Sequence, residues 1–164
     1  MDLHGNVALT IGPAGAAVAD RLAELGASVA VLDHRPAALA SRIASAGGHS
    51  LALTGDHRDE RSVRAAVSRL LTAWERIDIV VTGADSLAVV GPAVARYLVE
   101  AAGTSSRGVA DLIVLGPAEA RRPEIRLAGE AVRVELVDPV RPGVAGRVLE
   151  LIGRPAFRTA ERAG

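Results

Sequence analysis

The 164-residue sequence has no cysteine and no lysine, and only one Trp, one Tyr, one Phe and one Met. Each absence excludes something. Without cysteine there are no disulfides, no thiolate nucleophile and no cysteine-ligated metal site. Without lysine there is no Gly-Lys-Ser/Thr phosphate loop of the kind that holds ATP or GTP. Trp74, Tyr97 and Phe157 are too few to build a stacking platform for single-stranded nucleic acid. The 19 acidic residues balance the 19 basic ones, all of them Arg, so no net charge steers the chain toward nucleic acid or an anionic membrane. No apolar run is long enough to span a bilayer. The opening MDLHGNVALT has no basic stretch followed by a long apolar one, as a signal peptide requires. A cytoplasmic location is therefore expected. No Ser sits on a nucleophile-elbow turn, which removes the argument for a Ser/His/Asp triad.

What is present is aliphatic. Hydrophobic residues make up 49% of the chain, and its length fits one domain with a sizeable core. A core of Ala, Val, Leu and Ile suits buried parallel strands covered by helices. Apolar runs and helical stripes alternate. Strands are expected at Val7–Ile11, Val29–Leu32, Leu51–Leu53, Ile77–Val81, Leu112–Leu115 and Val132–Val137. Helices are expected at Ala14–Leu25, from Pro36 to Gly47, after an Asp59 cap through Trp74, from Pro92 to Gly103, and near Val144–Ile152. In the last strand Val132, Val134 and Leu136 alternate with Arg133 and Glu135, which predicts one wet face. The alternation implies a parallel sheet with helices on both faces. Residues 1–153 read as one domain and 154–164 as a loosely held tail.

The order of segments from residue 5 to residue 85, NVALTIG through IDIVVTGAD, resembles the first four strands and three helices of the short-chain dehydrogenase/reductase family. DLIVLGP and AVRVELVDPVRPGV are similar to that family's fifth and sixth strands. The resemblance implies a doubly wound α/β domain of Rossmann type, strand order 3-2-1-4-5-6, here with a trimmed C-terminal half. It implies an NAD(P)-dependent oxidoreductase of alcohols or carbonyls.

The family's first turn carries Thr-Gly-x-x-x-Gly-x-Gly, whose glycines let the backbone approach a pyrophosphate at a helix N-terminus. Here Gly12-Pro13-Ala14-Gly15 takes its place, about three residues shorter, with Gly12 and Gly15 matching the first and last glycines. Pro13 has no N–H to donate. The stretch is either a shortened phosphate turn or a tight strand-to-helix turn that binds nothing. Asp33 follows Gly12 by about 20 residues, the place of the carboxylate that binds the adenosine ribose and favours NAD over NADP. Arg35 nearby suits a 2′-phosphate instead, and Asp33 alternatively caps the next helix. Asp56 matches the family's adenine-contacting Asp, or else forms a cap or solvated turn. Thr82-Gly83-Ala84-Asp85 replaces the family's Asn-Asn-Ala-Gly, with Ala84 keeping the small size beside the cofactor.

The chemistry of the family does not carry over. Its reaction uses a Tyr as proton donor, with a Lys four residues on that lowers the Tyr pKa. The only Tyr here, Tyr97, is followed four positions on by Ala101 and precedes the fifth strand. No Ser, Tyr or Lys lies between Gly116 and Ala131. The crossover Ala118–Ala131, about 14 residues, is near the minimum for a parallel connection and leaves no room for the helix that carries Tyr and Lys. No catalytic residue is assigned, and NAD(H) is preferred to NADP(H) as a ligand if any binds. Three readings follow: a catalytically degenerate relative with weak dinucleotide binding; a scaffold that self-associates or joins a full-length dehydrogenase; and an active oxidoreductase using His34 or His57 as the acid. Asp33-His34 and Asp56-His57-Arg58-Asp59 fall on neighbouring strand ends and carry metal-ligand chemistry, but solvated polar loops are expected there and no metal site is assigned.

Overall fold

Short β-branched runs and amphipathic stripes fold as their periods demand in the computed structural model, which describes residues 1–105, 107–117, 132–138 and 143–154. In chain order the elements are β1 (Val7–Ile11), α1 (Gly12–Glu24), β2 (Ser28–Asp33), α2 (Ala37–Ser45), β3 (Ser50–Thr54), α3 (Glu60–Trp74), β4 (Ile79–Gly83), α4 (Leu87–Thr104), β5 (Ala110–Leu115), β6 (Val132–Val137) and α5 (Val144–Ile152). All strand pairs are parallel, and the order is β3-β2-β1-β4-β5-β6, as expected. The crossover 118–131 and the tail 155–164 lie outside the described residues.

Alternate residues of each strand feed two cores. Val7, Leu9 and Ile11 of β1 join Val63, Val67 and Leu70 of α3 and Val94 and Leu98 of α4 on one face. Ala8 joins Val18 and Leu22 of α1, Ile43 of α2 and Val148 and Ile152 of α5 on the other. β1 is buried throughout, which a central strand with helices on both faces requires. Asp59 caps α3 by accepting from the Ser62 N–H at 2.8 Å, as its sequence position indicated.

Four expectations need correction. α1 begins at Gly12 with no intervening loop, so the glycine stretch is itself the first helical turn. β4 starts at Ile79, two residues late, because Asp78 turns its carboxylate to the Val7 N–H at 2.9 Å and anchors the start of β1. α4 starts at Leu87 and contains Pro92 as an interior residue. The helix tolerates the lost N–H there because burying Val90, Gly91, Val94 and Leu98 outweighs one missing bond. The polar face of β6 is only partly wet: Glu135 is half-exposed, but Arg133 is only 8% exposed, and its Nε donates to Asp111 Oδ1 at 2.7 Å. It is Val132, Val134 and Leu136 that are half-buried.

Asp111 has no solvent exposure and pairs with both Arg107 and Arg133. The two guanidiniums continue to the end of α5, Arg107 to the Ile152 carbonyl at 2.8 Å and Arg133 to the Arg154 carbonyl at 3.2 Å. One carboxylate thus orders two cations that satisfy carbonyls at a helix terminus. Asp111→Ala leaves both cations buried without a counter-charge and is expected to destabilise the fold by about 3–5 kcal/mol. Arg64→Ala, which removes only an exposed pair with Glu60, is expected to change stability by about 0.5 kcal/mol or less. Urea midpoints of the two variants test the contrast.

Candidate functional site

The C-terminal ends of parallel strands share one sheet edge, and the strand order reverses between β1 and β4. That crevice is where open α/β sheets bind ligands. The turn into α1, the segment after β2, the segment after β3 and the Ala84 segment after β4 all emerge at this edge.

Gly12 and Gly15 play different parts. Gly12 has φ +65°, a left-handed conformation that lets the chain pass from strand to helix without a loop. Gly15 is needed for close approach. A Cβ there would stand 2.9 Å from the Thr10 carbonyl carbon and 3.0 Å from the Val81 oxygen, both backbone atoms. The first and last glycines of a dinucleotide fingerprint do these two jobs, the tight turn and close helix–strand packing. The middle one, which admits the pyrophosphate, is replaced: Ala14 carries a Cβ, and Pro13 removes one N–H of the first turn. No side chain caps the N-terminus of α1.

Asp33 ends β2, half-exposed, and its Oδ1 accepts from the His34 N–H at 2.6 Å. It does not cap α2, whose N-cap is Pro36. Asp56 lies two residues beyond β3, brought beside β2 by the parallel ladder, after which the Gly55 N–H donates to the Asp33 carbonyl at 3.0 Å. Asp56 Oδ1 accepts from the Arg58 N–H at 2.9 Å, so it shapes a turn. Ala84 is half-buried, its N–H donating to the Leu115 carbonyl at 2.9 Å.

Sequence reasoning did not anticipate how the β3 segment covers the turn. The His57 ring packs on Gly12, its carbons 3.3–3.4 Å from where a Cβ of Gly12 would be. Arg58 reaches across to Asp85 after β4, Nε at 3.0 Å and Nη2 at 2.6 Å. The Asp85 carboxyl is held below the ordinary carboxylate range, chiefly by the hydrogen bonds from Arg58. The only available signal was that Asp56-His57-Arg58-Asp59 follows a strand adjacent to β2. The reach over β2 to β1 and β4 needs the assembled sheet.

Tyr97 is remote from this edge. It lies ten residues into α4, about 15 Å along the helix axis from Leu87. Its half-buried ring packs against the α3/α4 core with the Arg96 guanidinium 4.4 Å above it. It lines a groove of about 400 Å³ with Arg64, Val67 and Leu71 of α3. Beside Ala84, the Asp85 carboxylate pairs with Arg58 and stands 3.8 Å from His57 Nε2.

Gly12→Ala is expected to cost about 1–2 kcal/mol through its left-handed backbone. Gly15→Ala is expected to cost about 1–3 kcal/mol, because both neighbours are backbone and neither can rotate away. Guanidinium midpoints measure both; an unperturbed Gly15→Ala would show the α1–sheet contact to be looser than described.

Comparison with known proteins agrees with this geometry. The family model described as enoyl-(acyl carrier protein) reductase matches residues 12–105, more than half of the chain. A doubly substituted variant of a Serratia marcescens short-chain dehydrogenase/reductase is 27% identical, with a TM-score of 0.60 over 74% of this chain and 59% of that one. A 3-ketoacyl-(acyl-carrier-protein) reductase from Brucella melitensis, solved with NADH, is 25% identical, with a TM-score of 0.61 over 77% of this chain and 63% of that one. An NADH-dependent reductase solved with NAD shares the fold, with a TM-score of 0.67 at 19% identity over 83% of this chain and 78% of that one. The chain thus spans less than two thirds of the length of the first two. With the strand order, the two surviving fingerprint glycines and the matched residues in agreement, the chain belongs to the short-chain dehydrogenase/reductase family.

Proposed function

We propose that this chain is a catalytically degenerate short-chain dehydrogenase/reductase that retains dinucleotide binding, NAD(H) in preference to NADP(H), on its adenosine side. One observation carries the loss of chemistry: the chain has no lysine, and its single tyrosine sits part-way down α4, away from the ligand edge. Hydride transfer is the cofactor's chemistry, and the protein supplies binding, orientation and a proton donor. The orienting cation and the donor are what this chain lacks. His34 and His57 follow β2 and β3, and the reading assigns neither the role of the acid.

The adenosine half of the site is better kept. The uncapped first turn of α1 offers the N–H groups of Ala14 and Gly15 to a pyrophosphate. Asp33 is positioned for a ribose diol and Asp56 for an adenine, while Ala84 keeps the floor beside β4 small. Losing the Pro13 N–H and the middle glycine weakens the phosphate contacts, so affinity is expected to be low.

Titration of the purified protein with NADH and NADPH, followed by nicotinamide fluorescence and thermal shift, tests the reading. A cofactor held at a hundred times its Kd is expected to stabilise the fold by about 2.7 kcal/mol. NADH is expected to bind more tightly than NADPH. Asp33→Asn is expected to weaken NADH on the order of tenfold, the equivalent of about 1.4 kcal/mol. No turnover is expected over a panel of alcohols and ketones. Clear turnover overturns the degeneracy, and no shift at millimolar cofactor overturns the binding.

A further inference from the structure

The same edge gathers a set of metal-type donors that shares only Asp56 with the dinucleotide reading. His34 follows β2, and Asp56 and His57 follow β3; one ligand atom from each lies within 4.8 Å of the others. The His34 and His57 rings meet edge to face, centroids 6.1 Å apart. Two imidazoles and a carboxylate form an N, N, O donor set, the kind that selects zinc and neighbouring divalent metals over magnesium or calcium.

The state of His57 gives the cluster its direction. Its side chain is only 12% exposed, and its Nδ1 is buried with no hydrogen-bond partner. Its Nε2 is 3.8 Å from Asp85 Oδ2, beyond hydrogen-bond length. A neutral imidazole has one donor and one acceptor nitrogen, and leaving either unpaired in the interior, as Nδ1 is here, is costly. A buried polar atom without a partner calls for a specific explanation, of which a bound ion is one.

The surroundings are built to hold such a set. Asp56 uses Oδ1 for the Arg58 N–H, which fixes the carboxylate, while its backbone N–H donates to Ser62 Oγ at 3.2 Å. Arg58 ties the segment to Asp85. A carboxylate beside the ring is the usual outer partner of a metal-bound histidine, and Asp85 supplies one next to His57. His34 is exposed, so it is free to close the last distance. With bonds of about 2.0–2.2 Å, tetrahedral ligand atoms stand about 3.3 Å apart, so donors within 4.8 Å of one another need to draw together by about 1.5 Å or less.

We propose that His34, Asp56 and His57 bind one divalent transition-metal ion, Zn²⁺ in the first instance, at the ends of β2 and β3, leaving a coordination position open to water or an anion. The site goes beyond the dinucleotide reading and does not depend on it, because metal binding is measured with no nucleotide present.

The test uses the full chain, stripped with chelator and titrated with Zn²⁺ by calorimetry and with Co²⁺ by visible absorption. One saturable Zn²⁺ per chain at micromolar concentration is expected, with a tetrahedral Co²⁺ band that Zn²⁺ displaces. His34→Gln and His57→Gln are each expected to weaken Zn²⁺ by about tenfold or more, by analogy with the loss on removing supporting ligands. His49→Gln, on an exposed histidine elsewhere, and Asp2→Asn, in the exposed His4–Asp2 pair, are expected to leave it unchanged. His34 is exposed, so His34→Gln is expected to melt like the parent without metal and keeps the test decisive if His57→Gln folds poorly. Zn²⁺ binding that survives His34→Gln, that disappears with Asp2→Asn, or that saturates only at millimolar metal overturns the site.

Discussion

The seating of α1 between β1 and β4 is the contact on which the ligand edge depends. Gly15 lies so close to the backbones of Thr10 and Val81 that no side chain fits between them. That closeness sets the first helical turn directly over the reversal in strand order. It brings the N-terminus of α1 to the edge where the β2, β3 and β4 segments emerge. Gly12 makes the arrangement reachable, since its left-handed φ turns the chain from strand to helix in one residue. Without both glycines, Asp33, Asp56 and Ala84 would still lie on strand ends, but no helix terminus would face them.

The opposite edge of the sheet is held by charge. Asp78 and Asp111, both without solvent exposure, stand at the starts of β4 and β5 and are joined by the Asp111 N–H on the Asp78 carbonyl, 2.9 Å. Arg76 grips Asp78 through two nitrogens, at 2.8 and 2.5 Å, and Asp111 holds Arg107 and Arg133. Arg suits this work because its planar fork makes paired hydrogen bonds and keeps its charge when buried. The all-Arg composition therefore has two structural consequences. It supplies forks for buried carboxylates, and it removes the lysine that the family's chemistry uses.

Membership of the family and the proposed loss of its reaction rest on different parts of the molecule. The match covers residues 12–105, the part that builds the switch point between β1 and β4, where glycine geometry and strand order leave little freedom. The segment between β5 and β6 contains no Ser, Tyr or Lys. The His57 ring on Gly12 and the Arg58–Asp85 bridge add contacts at the C-terminal ends of the strands. Site chemistry, which a fold alone does not fix, is therefore what sets this chain apart.

The sequence by itself determined the sheet order, the cap at Asp59 and the placing of Gly12, Gly15, Asp33, Asp56 and Ala84 at strand ends. Those features follow from local periodicity, from turn chemistry and from resemblance along one continuous stretch. It also determined that no lysine is available to the site, since the composition contains none. Tertiary structure decided what depends on contacts distant in sequence. Arg133 read as solvated from its alternation, yet it is buried because Asp111, on the neighbouring strand, neutralises it. Pro92 read as a helix start, yet the surrounding burial carries α4 through it. His34 and His57 meet because β2 and β3 are neighbours, and His57 reaches Gly12 because β1 is next in line. Period and composition act over a few residues, whereas burial and charge pairing are settled only when the whole sheet has assembled.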